Sequence, residues 1–405
     1  MNNVIYVLGG ILNSVVPFLF LPILSRTLEP EEYGQMNLLL TVYALVMPFT
    51  SISLAGYLYK RYFDEKNISW KLFEKCFSVL IKWVLFVFLF SIIMCSAFYF
   101  FSIGSKLFLT YIPLLVLASF CNAIFICRLQ IYTAQSKPYK FLLVQLSYTL
   151  LIFILTLCFL FFVDLNYLSR ILGVVLVDTL YAISSFRSMK KEFTNTLIEI
   201  KVKEERDFII YGFGLMPHLV ASVLLSTADK IIITMSLSLS DLAVYAIAVQ
   251  FTSILMVFTI GLNKEWSRQY FKLPDFRKQK KRMSVLLFLV ALCGVFLYLF
   301  KGVFYNIFVG ESLRKGFDVV VVLIFSQIFH SVYIFVSVYI KHNGKTYVLS
   351  LLTLVSLLIN VVVSLFLVND YGLIGVAYGT LIGMFFKFVL VTLYINGNVR
   401  KKVLI

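Results

Sequence analysis

Residues 264–304 read KEWSRQYFKLPDFRKQKKRMSVLLFLVALCGVFLYLFKGVF: eight Lys or Arg from Lys264 to Arg282, then an apolar run from Ser284 to Phe304. The run is long enough for a helix to cross the ~30 Å hydrocarbon core, which takes about 20 residues. The arrangement recurs along the chain. Twelve apolar stretches lie roughly at 4–25, 34–58, 77–100, 107–127, 141–163, 168–186, 208–236, 242–263, 284–304, 317–340, 346–368 and 373–396. Of the 36 Lys and Arg, 28 fall in every second gap or in the C-terminal tail. The other gaps and their edges hold only Arg26, Lys106, Arg170, Lys301, Arg314 and Lys315. Excess Lys and Arg in short cytoplasmic loops orients such a chain with both termini in the cytoplasm.

Composition agrees. The chain is 61% apolar and 14% charged, with a mean hydropathy of +0.94, against about 25% charged in soluble domains. Uninterrupted apolar runs exclude a membrane β-barrel, whose strands alternate. The net charge of +16 is a topology signal and not a nucleic-acid footprint: the basic loops and tail sum to +18, the opposite loops to −2 and the membrane interior to zero. The basic face also attracts anionic lipid of the inner leaflet. Met1-Asn2-Asn3 carries no basic n-region, and the first apolar run is long and contains Pro17 and Pro22, so the first helix is expected to be retained. The six cysteines form no Cys-x-x-Cys pair and read as small packing residues.

The expected architecture is an all-α polytopic membrane protein of about twelve transmembrane helices. Residues 1–190 form one six-helix bundle, 191–207 a cytoplasmic linker and 208–405 a second bundle. Weak internal similarity supports two parallel halves. Lys137-Pro138-Tyr139 precedes the fifth stretch and Lys345-Thr346-Tyr347 the eleventh; Glu32-Tyr33-Gly34 opens the second and Val244-Tyr245-Ala246 the eighth. Gly375, Gly379 and Gly383 repeat every four residues, a spacing that serves close helix packing or a flexible gating helix. Pro17, Pro22, Pro48 and Pro217 are expected to bend the first, second and seventh helices.

Ionisable groups inside a bilayer are costly and mark partners or pathways. Asp178, Asp229, Lys230 and Lys387 lie within apolar stretches, His218 and His330 likewise, and Arg26 and Arg128 at helix ends. Asp229 and Lys230 are consecutive and point about 100° apart, so each should meet another helix, in an ion pair or on a transport path. Lys387 either snorkels toward the cytoplasm or lines a cavity. His218 is a helix-contact histidine or a proton site. Asn13, Asn122, Gln145, Gln250, Asn263, Gln327 and Asn360 add neutral hydrogen-bonding groups. No Walker loop, His-Glu-x-x-His, Gly-x-Ser-x-Gly or paired-carboxylate motif occurs, no cofactor motif is present, and three histidines with few acids give no metal-ligand pattern. External loops are too short to build an enzyme site.

Three motifs carry a family resemblance. The first is Gly9-Gly10 and Pro17 followed by Arg26-Thr27-Leu28-Glu29-Pro30-Glu31-Glu32-Tyr33-Gly34, with Glu29 where a small residue is usual. The second is Gly214-x-x-Pro217, Ser226, Asp229-Lys230-Ile231-Ile232 and Val244-Tyr245-Ala246-Ile247-Ala248. The third is Tyr371-Gly372-Leu373-Ile374-Gly375-Val376-Ala377. In order and spacing they resemble the Wzx family of O-antigen and capsule repeat-unit flippases, in the polysaccharide-transporter branch of the multidrug/oligosaccharidyl-lipid/polysaccharide (MOP) superfamily. The resemblance implies two bundles around a cavity that opens alternately to either side of a bacterial inner membrane. It implies an undecaprenyl-pyrophosphate-linked oligosaccharide as cargo and a proton or sodium gradient as driving force. A polymerase and a chain-length regulator would be pathway partners. Under it, Arg26, Arg128, Lys230 and Lys387 become candidate cargo cations, and Asp178, Asp229 and His218 candidate ion-coupling groups or charge partners. Three rivals remain: a multidrug or metabolite exporter of the same superfamily, an O-antigen polymerase, and a peptidoglycan-precursor flippase, whose branch usually has fourteen helices against the twelve counted here.

Overall fold

The computed structural model describes residues 18–65, 68–100, 106–194, 204–272, 279–343 and 345–401. Among these residues there is no strand. The helices are α1 (Phe18–Thr27), α2 (Pro30–Ser51), α3 (Leu54–Glu65), α4 (Trp70–Phe100), α5 (Lys106–Ala134), α6 (Pro138–Phe162), α7 (Leu168–Phe193), α8 (Glu204–Ser236), α9 (Leu239–Lys272), α10 (Lys280–Phe308), α11 (Phe317–His342) and α12 (Thr346–Lys401). A short 3-10 turn, Glu311–Gly316, links α10 to α11.

Nine of the described helices are long and apolar enough to span a membrane, and the bent pair α2–α3 makes a tenth. α12 is two spans merged across Gly372, whose φ of 56° and ψ of −133° are not helical. The first twelve-stretch segment, 4–25, lies mostly outside the described residues. The outward faces are those of a lipid-facing bundle: Phe86, Leu89, Phe90 and Ile93 of α4 are all exposed, which water would penalise and hydrocarbon does not.

The described residues fall into two compact units by internal contacts. One is Leu38–Val223; the other joins residues 18–37 to Leu224–Ile405. The boundary between the units falls within α8; of the 191–207 segment expected as the linker, 195–203 lie outside the described residues. Residues 18–37 join the second group through close contacts. Ser25 Oγ donates to Phe308 O (3.2 Å) and accepts from Gly310 N (3.1 Å). A Cβ on Gly310 would overlap the Ser25 carbonyl, and one on Gly34 would overlap that of Leu239.

The first unit's core gathers Leu58, Phe73, Cys76, Leu80, Cys127, Met189, Phe193 and Phe208, and no disulfide joins the cysteines, all of which lie among the described residues. α6 starts with Pro138 at its first position, where the missing amide costs nothing. In the second unit the glycine repeat is a packing device. Gly375 faces the backbone of Leu367, Gly379 the backbone and hydroxyl of Ser364, and Gly383 Asn360. The two arms of α12 thus run antiparallel, too close for any side chain at the seam. Hydroxyls and indoles add polar contacts between helices: Thr259 to Ser331 (2.7 Å) and Trp266 Nε1 to Phe335 O (2.9 Å).

Candidate functional site

α8 and α9 form a tight hairpin joined only by Leu237 and Ser238. Its turn is fixed by a reciprocal cap: Ser238 N donates to Asp241 Oδ2 (3.2 Å), and Asp241 N donates to Ser238 Oγ (3.1 Å). Residues about two turns on either side of such a turn meet, and Tyr245 Oη donates to Asp229 Oδ2 at 2.6 Å. Thr380 Oγ1, from the second arm of α12, donates to the same oxygen at 3.2 Å. Thr380 also reaches Val376 O (3.3 Å), and Ser364 Oγ reaches both Val376 O (3.4 Å) and Asn360 Oδ1 (3.0 Å). A chain of oxygens therefore leads from Asp229 to Asn360. Two buried atoms in it have no partner, Asp229 Oδ1 and Asn360 Nδ2. An orphaned carboxylate oxygen in a dry bundle is an acceptor waiting for a proton or a hard cation.

The first unit holds a different carboxylate. Asp178 is fully buried in α7. Tyr43 Oη from α2 donates to Oδ2 (2.6 Å), while Asn122 Nδ2 from α5 and Tyr148 Oη from α6 donate to Oδ1 (both 2.8 Å). Tyr148 is held by stacking on Phe125, with ring centroids 4.3 Å apart. The charge meets three neutral donors from three helices and, among the described residues, no cation within salt-bridge distance. Asn122 Oδ1 is left unpaired.

The candidate cations separate into two kinds. Lys230 and Lys387 lie within helices and have no carboxylate partner among the described residues at salt-bridge distance. Lys387 is 4% exposed, with its ammonium 4.1 Å from the centre of the Tyr333 ring. It is buried against the protein. Arg128 and Arg26 are engaged. Arg128 pairs with Glu192 at 2.6 Å, and Gln135 (2.9 Å) and Lys137 (3.3 Å) converge on the same carboxylate. Arg26 donates to Ile307 O at 2.6 Å, beside Arg314, which donates to Val309 O and Asn306 O (both 3.2 Å). Two guanidiniums thus cap the carbonyl end of α10, where the helix dipole favours positive charge. His218 follows Pro217 inside α8, half-buried. Pro48 also lies inside α2, and the chain bends beyond it, at Ile52 and Ser53.

Arg26→Ala should lower thermal stability by about 1 kcal/mol through the lost cap, measured by melting in detergent, and Arg26→Lys should retain part of it. Lost export with unchanged melting would instead make Arg26 a cargo contact.

Tyr245, Thr380, Tyr43 and Tyr148 were not singled out as site residues from sequence. Their partners lie 16 to 151 residues away. Only the motif around Tyr245 hinted at a role.

Buried charges placed along long apolar helices define a polytopic membrane protein, and comparison with solved structures shows which fold it shares. The chain superposes over its whole length on an inward-facing multidrug resistance MATE family transporter of the MOP superfamily, with a TM-score of 0.75, 13% identity and 95% of that chain covered. It matches the lipid II flippase MurJ in its inward closed conformation with a TM-score of 0.74, 14% identity, and 98% and 86% of the two chains covered. At these identities the likeness concerns the fold. By sequence, residues 1–265 match the family described as polysaccharide biosynthesis protein, and the chain belongs to that family. A protein of the Lsg locus of Haemophilus influenzae is 25% identical over 269 residues, which span 65% of this chain and 63% of the relative's own length. The protein is a polytopic membrane member of the polysaccharide biosynthesis protein family, with the fold seen in those MATE and MurJ structures.

Proposed function

We propose that this transporter flips undecaprenyl-pyrophosphate-linked oligosaccharide repeat units, of O-antigen or capsule, from the cytoplasmic to the periplasmic leaflet of the bacterial inner membrane. One observation carries the reading within this family. Among the described residues, the lysines inside the helices, Lys230 and Lys387, have no carboxylate within salt-bridge distance, whereas the acids, Asp178 and Asp229, are held by hydroxyl and amide donors. The uncommitted charge is positive and suits a pyrophosphate, which cannot enter hydrocarbon without compensating partners. An exporter of organic cations would need the reverse. The lipid tail of the cargo stays in the bilayer while the sugar crosses between helices. Ion coupling fits Asp229: Tyr245 and Thr380 hold its Oδ2, while Oδ1 has no partner among the described residues; a proton or sodium ion there would satisfy it. With both termini cytoplasmic, the basic loops face the leaflet where the cargo is made. A polymerase and chain-length regulator would then receive it outside.

The test is the sidedness of lipid-linked oligosaccharide in cells lacking the protein, read with a membrane-impermeant probe. Accumulation on the cytoplasmic leaflet, relieved by the wild-type gene, is the expected result. Unpolymerised units on the outer face would support a polymerase, and normal glycan with altered drug sensitivity an exporter.

A further inference from the structure

The apolar stretch 34–58 is one uninterrupted run in sequence, yet the fold breaks it. α2 ends at Ser51, α3 starts at Leu54, and the two axes diverge by 45°. The joining residues, Ile52 and Ser53, have φ of 40° and 53°. Neither is glycine, and two consecutive left-handed residues press each Cβ against its own carbonyl; for a β-branched isoleucine this is a true outlier. The junction is no solvent loop: Ile52 is 1% and Ser53 9% exposed. Buried strain of this kind persists only where the surroundings impose it, and it gathers at moving parts.

The surroundings that impose it belong to three helices of the same unit. Gly212 of α8 lies so near Ile52 that an added Cβ would overlap its Cγ2 and carbonyl oxygen. Gly56 faces Tyr211, and Tyr57 packs on the rings of Phe208 and Tyr211 (5.3 and 5.7 Å between centroids). Trp83 Nε1 of α4 donates to Phe49 O, one turn before Ser53, at 2.9 Å. Thr50 and Ser119 of α5 share a hydrogen bond of 2.9 Å. Pro48 is not the cause, because α2 continues past it to Ser51. Nor does the span require a break: α9, which the internal repeat pairs with α2–α3, runs 34 residues without one.

We infer that Ile52–Ser53 is a strained hinge, docked against Gly212 in the bent form seen here and released in a second conformation, in which α2 and α3 join as one helix and α3 leaves α8. The stem above the hinge is anchored by Tyr43 on Asp178, so the moving part is α3. The inference goes beyond the cargo assignment; only the export readout rests on it.

Ser53→Gly removes the φ penalty of the bent form and little volume, and Ser53→Ala removes the hydroxyl while keeping the penalty. Cysteines placed at Gly56 and Tyr211 report the bent form through a short cleavable thiol cross-linker, with the 56–211 peptide pair quantified by mass spectrometry. Ser53→Gly should raise the ratio of linked to unlinked protein about tenfold over Ser53→Ala. Gly212→Ala should lower it. Linking 56 to 211 should stop glycan export, and cleaving the linker restore it. Equal ratios for Ser53→Gly and Ser53→Ala, or full export from the linked protein, would overturn the hinge. The linking ratio is read in membranes without any cargo, so it stands even if the flippase assignment fails.

Discussion

A Lys230→Glu strain should make no surface polysaccharide while inserting the protein at normal levels. Lys230 lies in α8 with no carboxylate partner at salt-bridge distance among the described residues. Its neighbour Asp229 is already committed to Tyr245 and Thr380. A glutamate here would place a second anion beside Asp229 with no cation to balance it, and burying an uncompensated charge costs several kcal/mol. On the proposed cargo assignment it would also repel the pyrophosphate. Each 1.4 kcal/mol is a factor of ten, so export should fall at least about a hundredfold. Lys230→Arg keeps the charge and should keep most of the activity. The readout is glycan on gels alongside membrane-fraction immunoblots. Wild-type glycan in Lys230→Glu cells would remove Lys230 from the cargo path. Improved resistance to a cationic drug in the same cells would favour the exporter.

Much of the scaffold is legible in sequence because hydrophobic length is a one-dimensional signal. The apolar runs became helices, Lys137-Pro138 marked a helix start, and Gly375, Gly379 and Gly383 marked a seam. The break at Ile52–Ser53 gave no sign. Sequence pointed to Pro48, since proline costs a backbone hydrogen bond, but the break lies beyond it, where Ile52 packs on Gly212, 160 residues downstream, with no room for a Cβ between them. The site was legible by residue and not by partner. Asp178, Asp229, Lys230 and Lys387 stand out because charge is rare in apolar runs. Which hydroxyl meets which carboxylate depends on helix rotation and depth, and neither follows from composition. Arg26 shows the converse: a motif residue whose visible contacts are the carbonyls at the end of α10.

Removing the carboxylate of Asp178 should be among the most destabilising single changes in the first unit. Asp178→Ala would leave Tyr43 Oη and Tyr148 Oη buried without their acceptor, and Asn122 Nδ2 with Tyr148 Oη in place of two acceptors. Each unsatisfied donor costs about 1–3 kcal/mol, so the total should reach about 4 kcal/mol, the range typical of a broken buried network. That corresponds to a drop of roughly 10 °C in melting temperature for a unit of this size. Asp178→Asn keeps one acceptor and should lose about half as much, because its amide nitrogen faces a donor. Tyr43→Phe removes a single donor and should cost about 1 kcal/mol. In the double variant Tyr43→Phe/Asp178→Asn the losses should not add, since the phenylalanine removes a donor that the amide cannot accept. Melting of the purified protein and glycan export, measured on the same variants, separate two roles for Asp178. If the cage only clamps α2, α5, α6 and α7 together, export should track stability across the series. If Asp178 also carries the coupling proton, Asp178→Asn should lose export beyond its loss of stability, because the amide preserves most of the geometry and can no longer titrate.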